Sequence, residues 1–219
     1  MKNLIINMTT LKINILDYGC GNLLSLKRSF EHLGFNSNIS KDLKEILEGD
    51  VLILPGVGSF GNAMQSLKKL ELIKTIKEFA ETEKPILGIC LGMQILLTEG
   101  YEFGKFDGLN LIPGKVEKIK DNLNPKMKLP HIGWNNIEVG SGMSKFISLY
   151  DKKKFYFVHN YFANTKNEND TIATCNYSGI RIAAIIQKKN IIGCQFHPEK
   201  SGEIGLQFLK SFCQNHKEL

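Results

Sequence analysis

Short apolar runs alternate in the first half of the chain with stretches whose apolar residues recur at helical spacing. Residues 12–17 predict a first strand, Leu23, Leu26, Phe30 and Leu33 a helix, and residues 51–54 a second clear strand. Ile73, Ile76, Phe79 and Ala80 mark another helix, and a further apolar run fills residues 85–89. Such βαβα alternation implies a parallel sheet covered by helices on both faces, with ligands bound at the carboxyl ends of the strands. After Thr98 the pattern changes to β-rich runs at 114–119, 154–159, 171–176, 182–187 and 191–196, separated by polar turns. These read as antiparallel additions to the sheet. Ser201 opens a last helix carrying Ile204, Phe208, Leu209 and Phe212, while residues 120–128 and 164–170 read as polar loops. The expectation is an α/β fold with a mostly parallel central sheet flanked by helices. Residues 1–10 are expected to be a loose tail and residues 11–219 a single domain.

The candidate chemistry sits where two of these runs end. Gly88-Ile89-Cys90-Leu91-Gly92 is a cysteine version of the G-x-S-x-G elbow, in which small flanking residues permit a sharp strand-to-helix turn that exposes the central side chain. A helix beginning at Leu91 points free N–H groups and the positive end of its dipole at that thiol. An isolated cysteine is more often a small buried hydrophobe, and that reading competes here. His197-Pro198-Glu199, reached directly from the apolar run 191–196, supplies what a nucleophile lacks. The histidine can move the thiol proton, a carboxylate on its other nitrogen fixes tautomer and orientation, and Pro198 holds φ between them. The order Cys, His, Glu, each near a predicted strand end, favours the catalytic reading.

Composition narrows the partners. The 219 residues are 42% hydrophobic, enough for a full core, and the five cysteines are odd in number and contain no C-x-x-C pair. Disulfides and zinc are therefore not expected, nor any metal or cofactor. Residues 1–10 hold too little apolar sequence for a signal peptide, and no run approaches membrane-spanning length, so the expected location is cytoplasmic. The net charge of +6 comes from dispersed lysines rather than a basic patch with aromatics, which argues against nucleic acid. Gly56-Val57-Gly58-Ser59-Phe60-Gly61 matches G-x-G-x-x-G, but it does not follow the first strand and lacks the acidic residue a dinucleotide site needs. A better use is to bring backbone N–H groups beside Cys90, as an oxyanion requires, with a plain packing turn as the alternative.

Through Gly88-Ile89-Cys90-Leu91-Gly92-Met93-Gln94 and Gln195-Phe196-His197-Pro198-Glu199, the chain resembles the class I glutamine amidotransferases. Within them it is similar to the glutaminase subunits of imidazole glycerol phosphate synthases. Asp17-Tyr18-Gly19, Pro55 to Phe60, Pro130-His131-Ile132-Gly133-Trp134-Asn135, Tyr156-Phe157-Val158-His159 with Tyr161, and Lys200-Ser201 carry that likeness over nearly the whole chain.

The resemblance implies that Cys90 attacks the amide of glutamine while His197, oriented by Glu199, protonates the departing ammonia. It implies oxyanion donors at the N–H of Leu91 and, after a peptide rearrangement, of Val57. Glutamine contacts are implied at Gly56, Gly58, Gln94, Glu99, Asn160 and Tyr161, with Asn160 departing from the family's usual small hydroxyl residue. It also implies a (β/α)8 barrel cyclase subunit as heterodimeric partner, receiving ammonia for histidine biosynthesis, with Trp134 and Lys200 at the interface. A paralogous glutaminase feeding a barrel that amidates a surface-sugar precursor is the alternative, followed by a non-catalytic module or an unrelated cysteine hydrolase. His159 reads as a structural or substrate-shell histidine, and His32 and His216 as surface residues.

Overall fold

The computed structural model describes residues 11–119 and 128–214. The expected tail, the loop 120–127 and His216 lie outside them. In chain order the elements are β1 (Lys12–Leu16), α1 (Leu23–His32), β2 (Asn36–Ser40), α2 (Leu43–Glu48), β3 (Val51–Leu54), α3 (Phe60–Lys69), α4 (Leu72–Glu81), β4 (Ile86–Ile89) and α5 (Leu91–Ile95). There follow β5 (Glu99–Gly100), β6 (Phe106–Asp107), β7 (Gly114–Lys118), β8 (His131–Asn136), β9 (Glu138–Val139), α6 (Lys145–Ser148), β10 (Lys154–His159) and β11 (Tyr161–Thr165). The chain closes with β12 (Thr171–Tyr177), β13 (Ile180–Lys188), β14 (Ile191–Cys194) and α7 (Gly202–Gln214).

An eight-stranded sheet in the order β2-β1-β3-β4-β14-β13-β12-β9 forms the centre. The strands from β2 to β14 are parallel, and β13, β12 and β9 extend them antiparallel, as expected. The central strands are buried on both faces because alternate side chains enter different layers: Val51 and Ile53 of β3 pack on one side, Leu52 and Leu54 on the other. The first layer holds Leu26 and Phe30 of α1, Phe208, Leu209 and Phe212 of α7, and an aromatic cluster in which Phe155 stacks on Phe196 at 3.9 Å. The second holds α3, α4 and α5, together with Val116 and Ala163 of a separate sheet ordered β11-β7-β5-β6.

Several elements depart from the expectation. Residues 36–40 form a strand and 43–48 a helix, so 51–54 is the third strand rather than the second. Asn164 and Thr165, read as loop, complete β11 against β7. β8 pairs with β10 in a two-stranded ribbon that the pattern of residues 131–136 did not announce.

Candidate active site

β4 ends at Ile89, and the next residue cannot continue it. Cys90 has φ 53° and ψ −106°, outside the regions open to L residues, a strain on the order of 1–3 kcal/mol. Its N–H donates to Cys194 O of β14 (2.8 Å), and its carbonyl accepts the Gln94 N–H of α5 (3.1 Å), so strand and helix both grip the turn. The flanking glycines are required. A Cβ on Gly92 would stand 1.8 Å from Leu54 O, and one on Gly88 2.6 Å from Gly92 O. Gly56 serves the same approach from the loop after β3, where a Cβ would meet Gly92 N at 2.7 Å. The glycine loop therefore lies against the first turn of α5, as anticipated. Leu91 is the first residue of α5, a position whose N–H has no acceptor within the helix; Val57 is 45% exposed and Gly58 has φ 114°.

His197 arrives from the neighbouring strand. Its N–H donates to Tyr156 O of β10 (2.9 Å) and its carbonyl accepts from Ser201 Oγ (2.6 Å), which fixes the backbone on both sides. Residues Pro198–Lys200 make a 3-10 turn, and across it His197 Nδ1 meets Glu199 Oε1 at 2.8 Å. Both side chains are buried, 3% and 4% exposed. Burial disfavours the imidazolium, but Cys90 and Glu199 overcome it and hold the His197 pKa up at about 10. His197 Nε2 and Glu199 Oε2 are buried without a hydrogen-bond partner. The Cys90 sulfur meets Val158 O at 3.9 Å and the Gln195 side-chain nitrogen at 3.6 Å. Thiol, imidazole and carboxylate are thus brought together by the ends of two adjacent parallel strands.

A cleft of about 230 Å³ is lined by Gly58, Gln94, Glu102, Asn160 and Tyr161 among others, and by Val158, whose carbonyl meets the Cys90 sulfur. Four of the expected glutamine contacts, Gly58, Gln94, Asn160 and Tyr161, face it. Gly56 does not line it and lies against Leu91 and Gly92 at the start of α5. Glu99 does not join them. It lines a different cleft, where Lys105 Nζ at 2.8 Å and the Tyr101 hydroxyl at 2.6 Å occupy its carboxylate and hold its pKa down. The carboxylate in the cleft is Glu102, three residues on, whose Oε2 accepts the Phe60 N–H at 2.7 Å. Burial raises its pKa and the Phe60 N–H opposes that rise. Glu102 caps α3 in place of Ser59, whose side chain makes no cap bond.

His159 is an interior residue: Nδ1 meets Tyr161 O at 2.8 Å, Nε2 meets His131 Nδ1 at 2.9 Å, and burial pushes its pKa down to about 3. Sequence reasoning missed the His131 contact because the two histidines meet only across the β8–β10 pairing. Trp134 is 52% exposed and lies with Ile132 on the outer face of that ribbon, edge-on to Tyr156 at 6.0 Å. Lys200 is exposed and His32 lies on the surface. Among the described residues no His, Cys, Asp and Glu side chains cluster as a metal site would, and no helix is long and apolar enough to cross a membrane.

The model of the glutamine amidotransferase class-I family matches residues 14–215. The imidazole glycerol phosphate synthase subunit HisH of Lactococcus lactis is 49% identical over 93% of this chain and 98% of its own length. That of Methanosarcina barkeri is 47% identical over 92% and 97%. Among solved structures, PurLQS from Thermotoga maritima superposes with a TM-score of 0.71 at 18% identity, covering 93% of this chain and 98% of that one, a likeness of fold. With nearly the whole chain matched at both levels, it belongs to the class-I glutamine amidotransferases, among the HisH subunits of imidazole glycerol phosphate synthase.

Proposed function

We propose that this chain is the glutaminase subunit of an imidazole glycerol phosphate synthase, with Cys90 as nucleophile, His197 as acid and base, and Glu199 as orienter. The observation that carries it is the strained turn at Cys90 facing a buried imidazole whose far nitrogen is held by a carboxylate at 2.8 Å. Glutamine enters the cleft with its amino acid head toward Glu102 and Gln94 and its side-chain amide toward the sulfur. The Cys90 thiolate bonds to the amide carbon, and the oxyanion is met by the N–H of Leu91 and, once the glycine loop turns, of Val57. The C–N bond then breaks as the His197 imidazolium gives its proton to the leaving ammonia, which leaves a γ-glutamyl thioester and a neutral imidazole. Water attacks the thioester, His197 takes its proton, and glutamate departs with the thiolate restored.

The released ammonia is consumed elsewhere. We place the partner, a (β/α)8 barrel cyclase, on the outer face of the β8–β10 ribbon. Ile132 and Trp134 offer an exposed apolar anchor there, and Lys200 a charge beside the active-site mouth. In the barrel, ammonia attacks a phosphoribulosyl-formimino carboxamide ribonucleotide to give imidazole glycerol phosphate and an aminoimidazole carboxamide ribonucleotide. The test is Cys90→Ser in the assembled synthase. Glutamine-dependent synthesis is lost and ammonia-dependent synthesis persists near the parent rate. Equal loss of both in an intact complex would overturn the assignment.

A further inference from the structure

Gln195 lies between His197 and β14, is fully buried, and has no part in the steps above. Its side-chain amide touches two groups of the site. Nε2 stands 3.6 Å from Cys90 Sγ, and Oε1 accepts from Gln94 Nε2 at 3.1 Å. Gln94 spends its other N–H on Tyr161 O at 2.9 Å.

A backbone carbonyl only accepts, so Tyr161 O dictates the rest. It requires Gln94 to turn its NH₂ inward, toward both Tyr161 O and Gln195. Gln195 must then answer with its oxygen, which leaves its own NH₂ on the sulfur. Turning either amide over sets acceptor against acceptor or donor against donor in the buried interior, where such a mismatch is costly. His159, whose Nδ1 also meets Tyr161 O at 2.8 Å, holds that carbonyl from the other side.

From this chain of contacts we infer that Gln195 is a positioning residue that donates an N–H to the Cys90 sulfur and locks the Gln94 amide with its carbonyl oxygen toward the substrate. Besides His197, whose interaction with the sulfur already favours the anion, the sulfur has two polar neighbours. Val158 O can accept from a thiol but offers a thiolate nothing, whereas the Gln195 N–H adds a second donor to the anion, and hydrogen bonds to charged acceptors are the strong ones. The locked Gln94 presents an acceptor to the cleft, which suits an ammonium or an amide N–H and rejects a carboxylate at that point. The inference rests on Cys90 being the glutaminase nucleophile, and it assigns the group that prepares it.

The test uses Gln195→Met in the full chain assembled with its synthase partner, with iodoacetamide as the probe and Cys90 followed by peptide mass. At neutral pH the rate of Cys90 alkylation should fall on the order of tenfold, what losing one hydrogen bond to a charged group is worth. The deficit should close as the buffer is made alkaline, while ammonia-dependent synthesis persists and shows the complex intact. Alkylation at the parent rate, or a deficit that stays constant with pH, overturns the proposal. If Gln195→Met fails to assemble, the Gln195 side-chain amide of the parent, followed by ¹⁵N NMR, decides. It shifts in Cys90→Ala if its hydrogen lies on the sulfur, and an unmoved resonance overturns the proposal. Glutamine hydrolysis that persists in Cys90→Ser would sink the proposed function, and the alkylation comparison would still show separately whether Gln195 acts on the sulfur.

Discussion

Glu199→Gln removes one charge and little else, since the amide oxygen can still accept from His197 Nδ1–H. The parent pair is a 2.8 Å contact between side chains 3% and 4% exposed, so water screens it poorly. A hydrogen bond to a charged partner contributes about 1.5–3 kcal/mol, and a pKa unit corresponds to about 1.4, so the variant's His197 pKa should drop by roughly 1–2 units. In the parent, Cys90 and Glu199 together hold that pKa at about 10 against burial. His197 must be protonated to release ammonia, so the alkaline limb of kcat/KM for glutamine should move down by the same roughly 1–2 units. Stability follows the same sign. A folded-state pKa raised above the unfolded value of about 6.5 contributes stability that is complete below about pH 6.5 and lost as pH rises through about 10. The penalty of Glu199→Gln in urea unfolding should therefore be largest near pH 6 and vanish above roughly pH 10. Kinetics of the assembled synthase across pH, with an NMR titration of the His197 ring, supply the measurement. A limb that stays in place or moves upward, or a penalty that grows with pH, refutes the account of His197.

Gly92→Ala places a Cβ 1.8 Å from Leu54 O, where only backbone can yield, and should destabilise the fold by about 3 kcal/mol or more in urea unfolding. A loss under roughly 1 kcal/mol would mean that α5 is not pressed against β3 as described. Glu102→Gln should raise KM for glutamine on the order of tenfold with kcat less affected, because the charge facing the substrate ammonium is gone. Glu99→Gln should leave KM unchanged, and the reverse outcome would return the substrate role to Glu99.

Where apolar character and sheet position agree, the elements were legible: Val51–Leu54 is buried throughout and Lys154–His159 alternates, and both were found with the bounds the structure has. Asn36–Ser40 was missed because it is an edge strand of mainly polar residues, made a strand by pairing with β1 rather than by its own pattern. His131–Asn136 inverts the usual rule. Its inward side is polar, with His131 contacting His159 and Asn135, while Ile132 and Trp134 face out. The cysteine turn and the His197–Glu199 pair were readable because each is local. That Glu102 rather than Glu99 lines the cleft was not legible, because the path after α5 decides which acid reaches it, and that path depends on an ion pair and a helix cap formed across the fold.

At Cys90 reactivity and stability pull in opposite directions. The conformation that presents the thiol, φ 53° and ψ −106°, is one that glycine tolerates and cysteine resists, at about 1–3 kcal/mol against a total stability of about 5–15. The residue that folds best at this position is therefore not the one that reacts. A lineage relieved of selection for the thiol could lose it downhill, becoming inert and sturdier in the same substitution.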